Sequence, residues 1–130
     1  PAPVVTYDVT GNVIPRTSKH NINLNMNYMM TKNLSFMAEI YAKSKYYADD
    51  LNQIEIDGYE NLNLMATYDR KISSFDTSFF VRIDNVLDDH YYNSARSSSD
   101  RNEDGVFNAE DLSITVNPGR ILTAGLAAKF

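Results

Sequence analysis

The stretch DRNEDGVFNAED, Asp100 to Asp111, carries oxygen ligands at the spacing of a twelve-residue calcium loop. Asp100, Asn102 and Asp104 stand at positions one, three and five, where side-chain oxygens are needed. Gly105 supplies the sharp turn, Val106 a backbone carbonyl, Phe107 the apolar eighth position and Asn108 the ninth. Asp111 closes the loop where a bidentate Glu is usual, and its shorter reach implies weaker binding. No helical pattern flanks the loop. The expectation is a calcium site, and the competing reading is a solvated acidic loop.

Other chemistry-bearing residues are less organised. Asp49–Asp50 and Asp88–Asp89 are carboxylate pairs, but adjacent residues point apart, and no nucleophile or histidine is set beside them. They read as solvated loop charge, and the chain does not read as an enzyme. His20 and His90 are too few for a histidine cluster and read as loop-edge residues rather than metal or ferric ligands. There is no cysteine, which rules out a disulfide scaffold and a thiolate metal site. A net charge of −5 with no basic patch argues against nucleic acid. No cofactor is required, and calcium at the 100–111 loop is the one ion the residues suggest.

The elements that must position these residues are strands. HNINLNMNYMM alternates amide and apolar side chains, so Asn21, Asn23, Asn25 and Asn27 share one face and Ile22, Leu24, Met26 and Tyr28 the other. After a TKN turn, Leu34–Tyr47 sets Leu34, Phe36, Ala38, Ile40 and Ala42 against Ser35, Glu39, Tyr41, Lys43 and Lys45. The ADDLNQIEIDG stretch is too polar and turn-rich for a core element. YENLNLMATYD sets Leu62, Leu64, Ala66 and Tyr68 against Asn61, Asn63, Met65 and Thr67. Beyond DRKISSFD, TSFFVRID sets Phe79, Val81 and Ile83 against Ser78, Phe80, Arg82 and Asp84. A long loop from about Asp88 to Asn117 leads to RILTAGLAAKF, and Val4–Thr10 reads as a further, weaker strand. The fold class is all-β: an antiparallel up-and-down meander of about six strands.

The apolar faces carry no charge in this reading. Glu39, Lys43, Arg82, Asp84 and Lys129 all fall on the opposite parity. A cation at a bilayer midplane costs about 2–4 kcal/mol, so lipid contact would explain the exclusion. Short connections (TKN, DRKISSFD) alternate with long ones (11–19, 48–58, 88–117), giving one trimmed and one decorated edge. Tyr28, Phe36, Tyr68, Phe79 and Phe130 fall on the apolar parity at the trimmed edge, as an interfacial girdle would. Tyr46, Tyr47, Tyr59, Tyr91 and Tyr92 gather at the other edge and read as an upper belt. A soluble, calcium-stabilised β-sandwich acting as a binding or adhesion module is the alternative, since a half-buried soluble sheet also alternates.

Four stretches resemble the C-terminal β-barrel segment of TonB-dependent outer-membrane receptors, in family order. GNVIPRTSKH resembles the P-R-x-P-K-H lead-in, with Ser18 where proline is usual. KYYADDLNQIEIDGY resembles a Tyr, Asn and Gly-Tyr spacing across an outer loop. VRIDNVLDDHYY resembles the N-[VL]-[LF]-D-x-x-Y signature on Asn85, Val86, Leu87, Asp88 and Tyr91. NPGRILTAGLAAKF resembles the Pro-Gly-Arg approach to a last strand ending in Phe130. The resemblance implies a 22-stranded transmembrane barrel around a plug, with residues 1–130 as its C-terminal part. It implies location in the bacterial outer membrane and energised import of a ferric siderophore or other scarce nutrient. Expected partners are membrane lipid, TonB through a plug outside this sequence, and a BAM-type assembly machinery acting on the strand that ends in Phe130. Glu39, Lys43, Arg82 and Asp84 would then line the lumen and meet the plug.

Overall fold

Alternating apolar and amide side chains form β1 (Asn21–Met29), which turns through residues 30–33 into β2 (Leu34–Lys43). The Thr31 hydroxyl closes this turn by accepting the backbone N–H groups of Asn33 and Leu34. Further along lie β3 (Tyr46–Tyr47), β4 (Glu55–Ile56), β5 (Tyr59–Ile72), β6 (Phe75–Asp84), β7 (Tyr92–Arg96), β8 (Ser113–Val116) and β9 (Ile121–Lys129). The computed structural model describes residues 6–97, 106 and 108–129. It divides the chain into a sheet unit (20–43, 59–90, 118–130) and a loop unit (1–19, 44–58, 91–117).

The sheet unit is one antiparallel sheet in the order β1-β2-β5-β6-β9. Its register is continuous, so the two-residue period carries across every pair. Met26, Ala38, Leu64, Ile83 and Leu122 stand in one row, and Tyr28, Phe36, Ala66, Val81 and Ala124 in the next. The opposite face has the row Asn27, Met37, Met65, Arg82 and Thr123. The expected parity is therefore the observed one. Gly125 sits under the ring of Phe80, where a Cβ would collide with the aromatic carbons. That explains a glycine inside a strand.

Several boundaries differ from expectation. DRKISSFD is mostly strand, because Ile72 pairs with Phe75 and leaves only Ser73 and Ser74 in the turn. Ser73 takes φ 56° there, and the two-residue link suits a hairpin. The expected strand Leu34–Tyr47 breaks after Lys43, and Tyr46–Tyr47 pairs instead with Glu55–Ile56 in a sheet of its own. Residues 6–10 of the expected Val4–Thr10 strand are not strand, and residues 4 and 5 lie outside the described residues.

The loop unit has its own core. Tyr46, Ala48, Ile56 and Ala95 are buried, with Ile54 and Leu112 packed against them. The ADDLNQIEIDG stretch thus supplies core residues despite its polarity. β7 and β8 pair as a second two-stranded sheet with an irregularity between Tyr92 and Ser94.

Candidate functional site

On the polar face of the sheet, a guanidinium of β6 meets carboxylates of β2 and β6 across an amide of β5. Glu39 of β2 stands opposite Asn25 of β1 on one side and Asn63 of β5 on the other. From β6, the Arg82 Nη2 donates to Glu39 Oε2 at 2.7 Å, and its Nε donates to Asp84 Oδ1 at 2.8 Å. Asn63 Nδ2 reaches the same Glu39 oxygen at 3.4 Å. One planar guanidinium thus holds two carboxylates, a geometry its fork favours over an ammonium. Asn25 donates to Asn23 at 3.0 Å along β1, so these two amides of the ladder bond each other. Of the expected lumen-lining set, Glu39, Arg82 and Asp84 meet. Lys43 lies two rows away, opposite Asn21 and Tyr59.

The four sequence stretches singled out above become two clasps. In the loop unit, Asn52 reads the backbone of Val13 twice: its Oδ1 accepts the Val13 N–H at 2.8 Å and its Nδ2 donates to the Val13 carbonyl at 3.1 Å. Asn12 donates to the Asp50 carbonyl and the Arg16 N–H to that of Tyr47. GNVIPRTSKH is therefore held to KYYADDLNQIEIDGY. In the sheet unit, the buried Asn85 adopts φ 53° and bonds Asp89 reciprocally through its side-chain amide. Asn63 Oδ1 accepts the Asn85 N–H at 3.0 Å. Asp88, also left-handed at φ 60°, accepts the Arg120 N–H at 2.9 Å and faces its guanidinium at 4.0 Å. Gly119 takes φ 85° beside it. The signature Asn85–Asp88 thus closes the end of β6 onto the Pro-Gly-Arg approach to β9. Asn and Asp tolerate that left-handed backbone because their short side chains bond locally.

Four readings of individual residues change. Asp49 is not solvated: it is fully buried, and its carboxylate accepts the backbone N–H groups of Leu51, Gln53 and Ile54. Its neighbour Asp50 is exposed and lies 3.7 Å from Arg16. Tyr46 is no belt residue, since it is 5% exposed and its hydroxyl accepts the Ala95 N–H at 2.9 Å. Tyr59 stands on the asparagine face, opposite Lys43. Asp88 is bound to Arg120, whereas His20 and His90 are both exposed.

The lower aromatics keep the apolar parity but are staggered. Tyr28 faces Phe36 in one row, and Tyr68 faces Phe79 one row nearer the short turns. Phe130 lies outside the described residues. A drift of one row across the sheet suits strands that tilt about 35–45° in a barrel wall.

Of the calcium-loop residues, Asp100, Asn102, Asp104, Gly105 and Phe107 lie outside the described residues. Val106 is exposed. Asn108 caps the short 3-10 turn Ala109–Asp111, with Asp111 Oδ2 accepting the Asn108 N–H at 3.0 Å and Asn108 Oδ1 the Glu110 N–H at 2.8 Å. Asp111 is 1% exposed. Among the described residues, no three His, Asp or Glu side chains group to hold a metal. Nor is any helix among them long and apolar enough to cross a membrane, which says nothing of strands.

The sequence model of the family described as TonB dependent receptor-like, beta-barrel matches residues 3–86. That span takes in β1 to β6 and the first clasp. No curated protein matches the chain.

Proposed function

Because the chain belongs to the TonB-dependent receptor β-barrel family of the bacterial outer membrane, we propose that it walls an importer of a scarce nutrient, a ferric siderophore or related iron complex. One observation supports the wall above all. Leu24, Met26, Leu122 and Leu126 are each more than half exposed on a single face, whereas Glu39, Asn63 and Arg82 share the other. In a soluble sandwich a second sheet would cover that apolar face. Against lipid, the outward leucines need no cover, and the amide-rich face meets water and plug.

Five strands cannot close a barrel, and among the described residues the outer flanks of β1 and β9 have no strand partner. Those flanks pair with strands from other parts of the same receptor, around a plug that contacts TonB. The Glu39–Arg82–Asp84 network lies on the plug side. The substrate assignment is tested by deleting the receptor gene and growing cells on defined iron sources. Loss of growth on one ferric chelate, restored by the intact gene, supports iron import; unchanged growth on every iron source refutes it. Fractionation tests the location separately, since a soluble product would contradict the wall.

A second reading concerns the 100–111 loop, for which we infer a calcium ion. Its support is the spacing of Asp100, Asn102, Asp104, Val106, Asn108 and Asp111. Calorimetric titration of the intact receptor with calcium should show a site that Asp104→Ala removes. Identical heats in the two proteins would sink it.

A further inference from the structure

The length of β5 brings two charges onto a face that otherwise carries none among the described residues. Counting along the register, Glu60 lies opposite Ala42, and Arg70 lies opposite Thr77, both on the apolar parity. Both side chains are exposed. Between them on that face stand only Leu62, Leu64, Ala66 and Tyr68. Ten residue steps at about 3.3 Å make roughly 33 Å of strand. At a barrel tilt near 40°, that is about 25 Å of height, the thickness of the apolar band of a transmembrane barrel. The two charges therefore bracket one membrane-crossing interval, with Arg70 at the short-turn end.

Arg70 follows directly on the staggered aromatic row of Tyr68 and Phe79. One row further, Ile72 and Phe75 close the hairpin tip and are about half exposed on the same face. The guanidinium thus emerges between an aromatic row and an apolar tip. Its acidic neighbours are on the other parity: Asp69 accepts the Ser78 hydroxyl, and Asp76 lies 3.9 Å from Lys71. Lys32 belongs to the same corner, because Asn33 and Asp69 exchange two backbone-directed hydrogen bonds, of 2.6 and 2.7 Å. Lys32 and Arg70 each adjoin that bonded pair. Among the described residues neither has an ion-pair partner.

We propose that Arg70, assisted by Lys32, binds the phosphate of a phospholipid headgroup in the leaflet at the short-turn edge, and so fixes the depth of this wall in the membrane. The argument rests on the membrane reading above. A guanidinium offers several N–H donors to phosphate oxygens, and its aliphatic stem can lie along Tyr68 while the head reaches the interface. The chain is acidic overall, at −5, so two cations without an ion-pair partner among the described residues are a local exception with anionic complement.

The test uses the intact receptor in nanodiscs that contain phosphatidylglycerol with a photoreactive group on an acyl methylene close to the ester. Diacylglycerol with the same chains and label is the control. Cross-links are mapped by mass spectrometry to the peptide spanning Tyr68 to Phe79. Phosphatidylglycerol should label this peptide at least threefold more than diacylglycerol. Arg70→Gln should bring the two to the same level, Lys32→Gln should reduce the difference by less, and Arg70→Lys should keep most of it. Equal labelling in the unaltered receptor overturns the phosphate site without any variant. So does unchanged labelling in an Arg70→Gln receptor whose heat-modifiable gel mobility shows that it is folded. No labelling by either lipid would instead remove the face from the membrane, and with it the premise.

Discussion

In the five-stranded sheet, Leu122 is 69% exposed and Met26 61%, while in the loop unit the much smaller Ala48 and Ala95 are wholly buried. The same chain thus sorts its apolar side chains in opposite directions in its two units. The sheet is held by a continuous backbone ladder and leaves its greasy face outward. The loop unit has short strands and little ladder, so it needs an interior: four buried apolar residues and a buried carboxylate that ties the loop around them. The difference teaches that burial here follows the surrounding solvent. A lipid-facing sheet needs no core of its own, whereas loops in water do.

Four tests would break or sharpen that contrast. The largest effect belongs to Asp49→Ala, which removes the acceptor for three backbone N–H groups. At about 1–3 kcal/mol for each buried donor left unmet, the loop unit should lose roughly 3 kcal/mol or more. Hydrogen exchange of Leu51, Gln53 and Ile54 should accelerate by about a hundredfold or more, while β5 and β6 keep their protection. If the sheet loosened equally, the two units would not be separately stabilised.

Next comes a test of parity on neighbouring residues. Leu64→Arg puts a cation on the apolar face near its middle and should cost about 2–4 kcal/mol. Met65→Arg, on the Asn27–Arg82 row, should cost far less. Denaturant unfolding of the two receptors in bilayers reads the difference, and equal costs would erase the assignment of wet and dry faces. Gly125→Ala pushes a methyl into the Phe80 ring and should cost about 1–3 kcal/mol by overpacking. Combining it with Phe80→Leu should recover part of that loss in the same unfolding measurement. The smallest change is Tyr46→Phe, which deletes the acceptor of the Ala95 N–H. About 1 kcal/mol should be lost in the loop unit, seen as faster exchange at Ala95.

What was legible in the residues was whatever repeats. Period two fixed the faces of β1, β2, β5, β6 and β9, because each strand repeats the same choice and one slip would invert them all. The apolar face and the lower aromatic row followed from the same alternation. Arg70 reads as turn within DRKISSFD, whereas pairing from Ile72 to Phe75 extends the hairpin and sets it on that face; Glu60 stands on the same parity at the start of YENLNLMATYD, ahead of the apolar run that begins at Leu62.

The chain's order of residues thus determined a two-faced antiparallel meander and a family resemblance carried by four short stretches. The tertiary structure decided what those stretches do. Asn52 meets Val13, and Asp88 meets Arg120, across 39 and 32 residues respectively, separations at which no local pattern records a partner. It also decided that Asp49 and Tyr46 turn inward. A lone polar residue in a loop has no period to betray its direction, and only the donors gathered around it make burial cheaper than hydration.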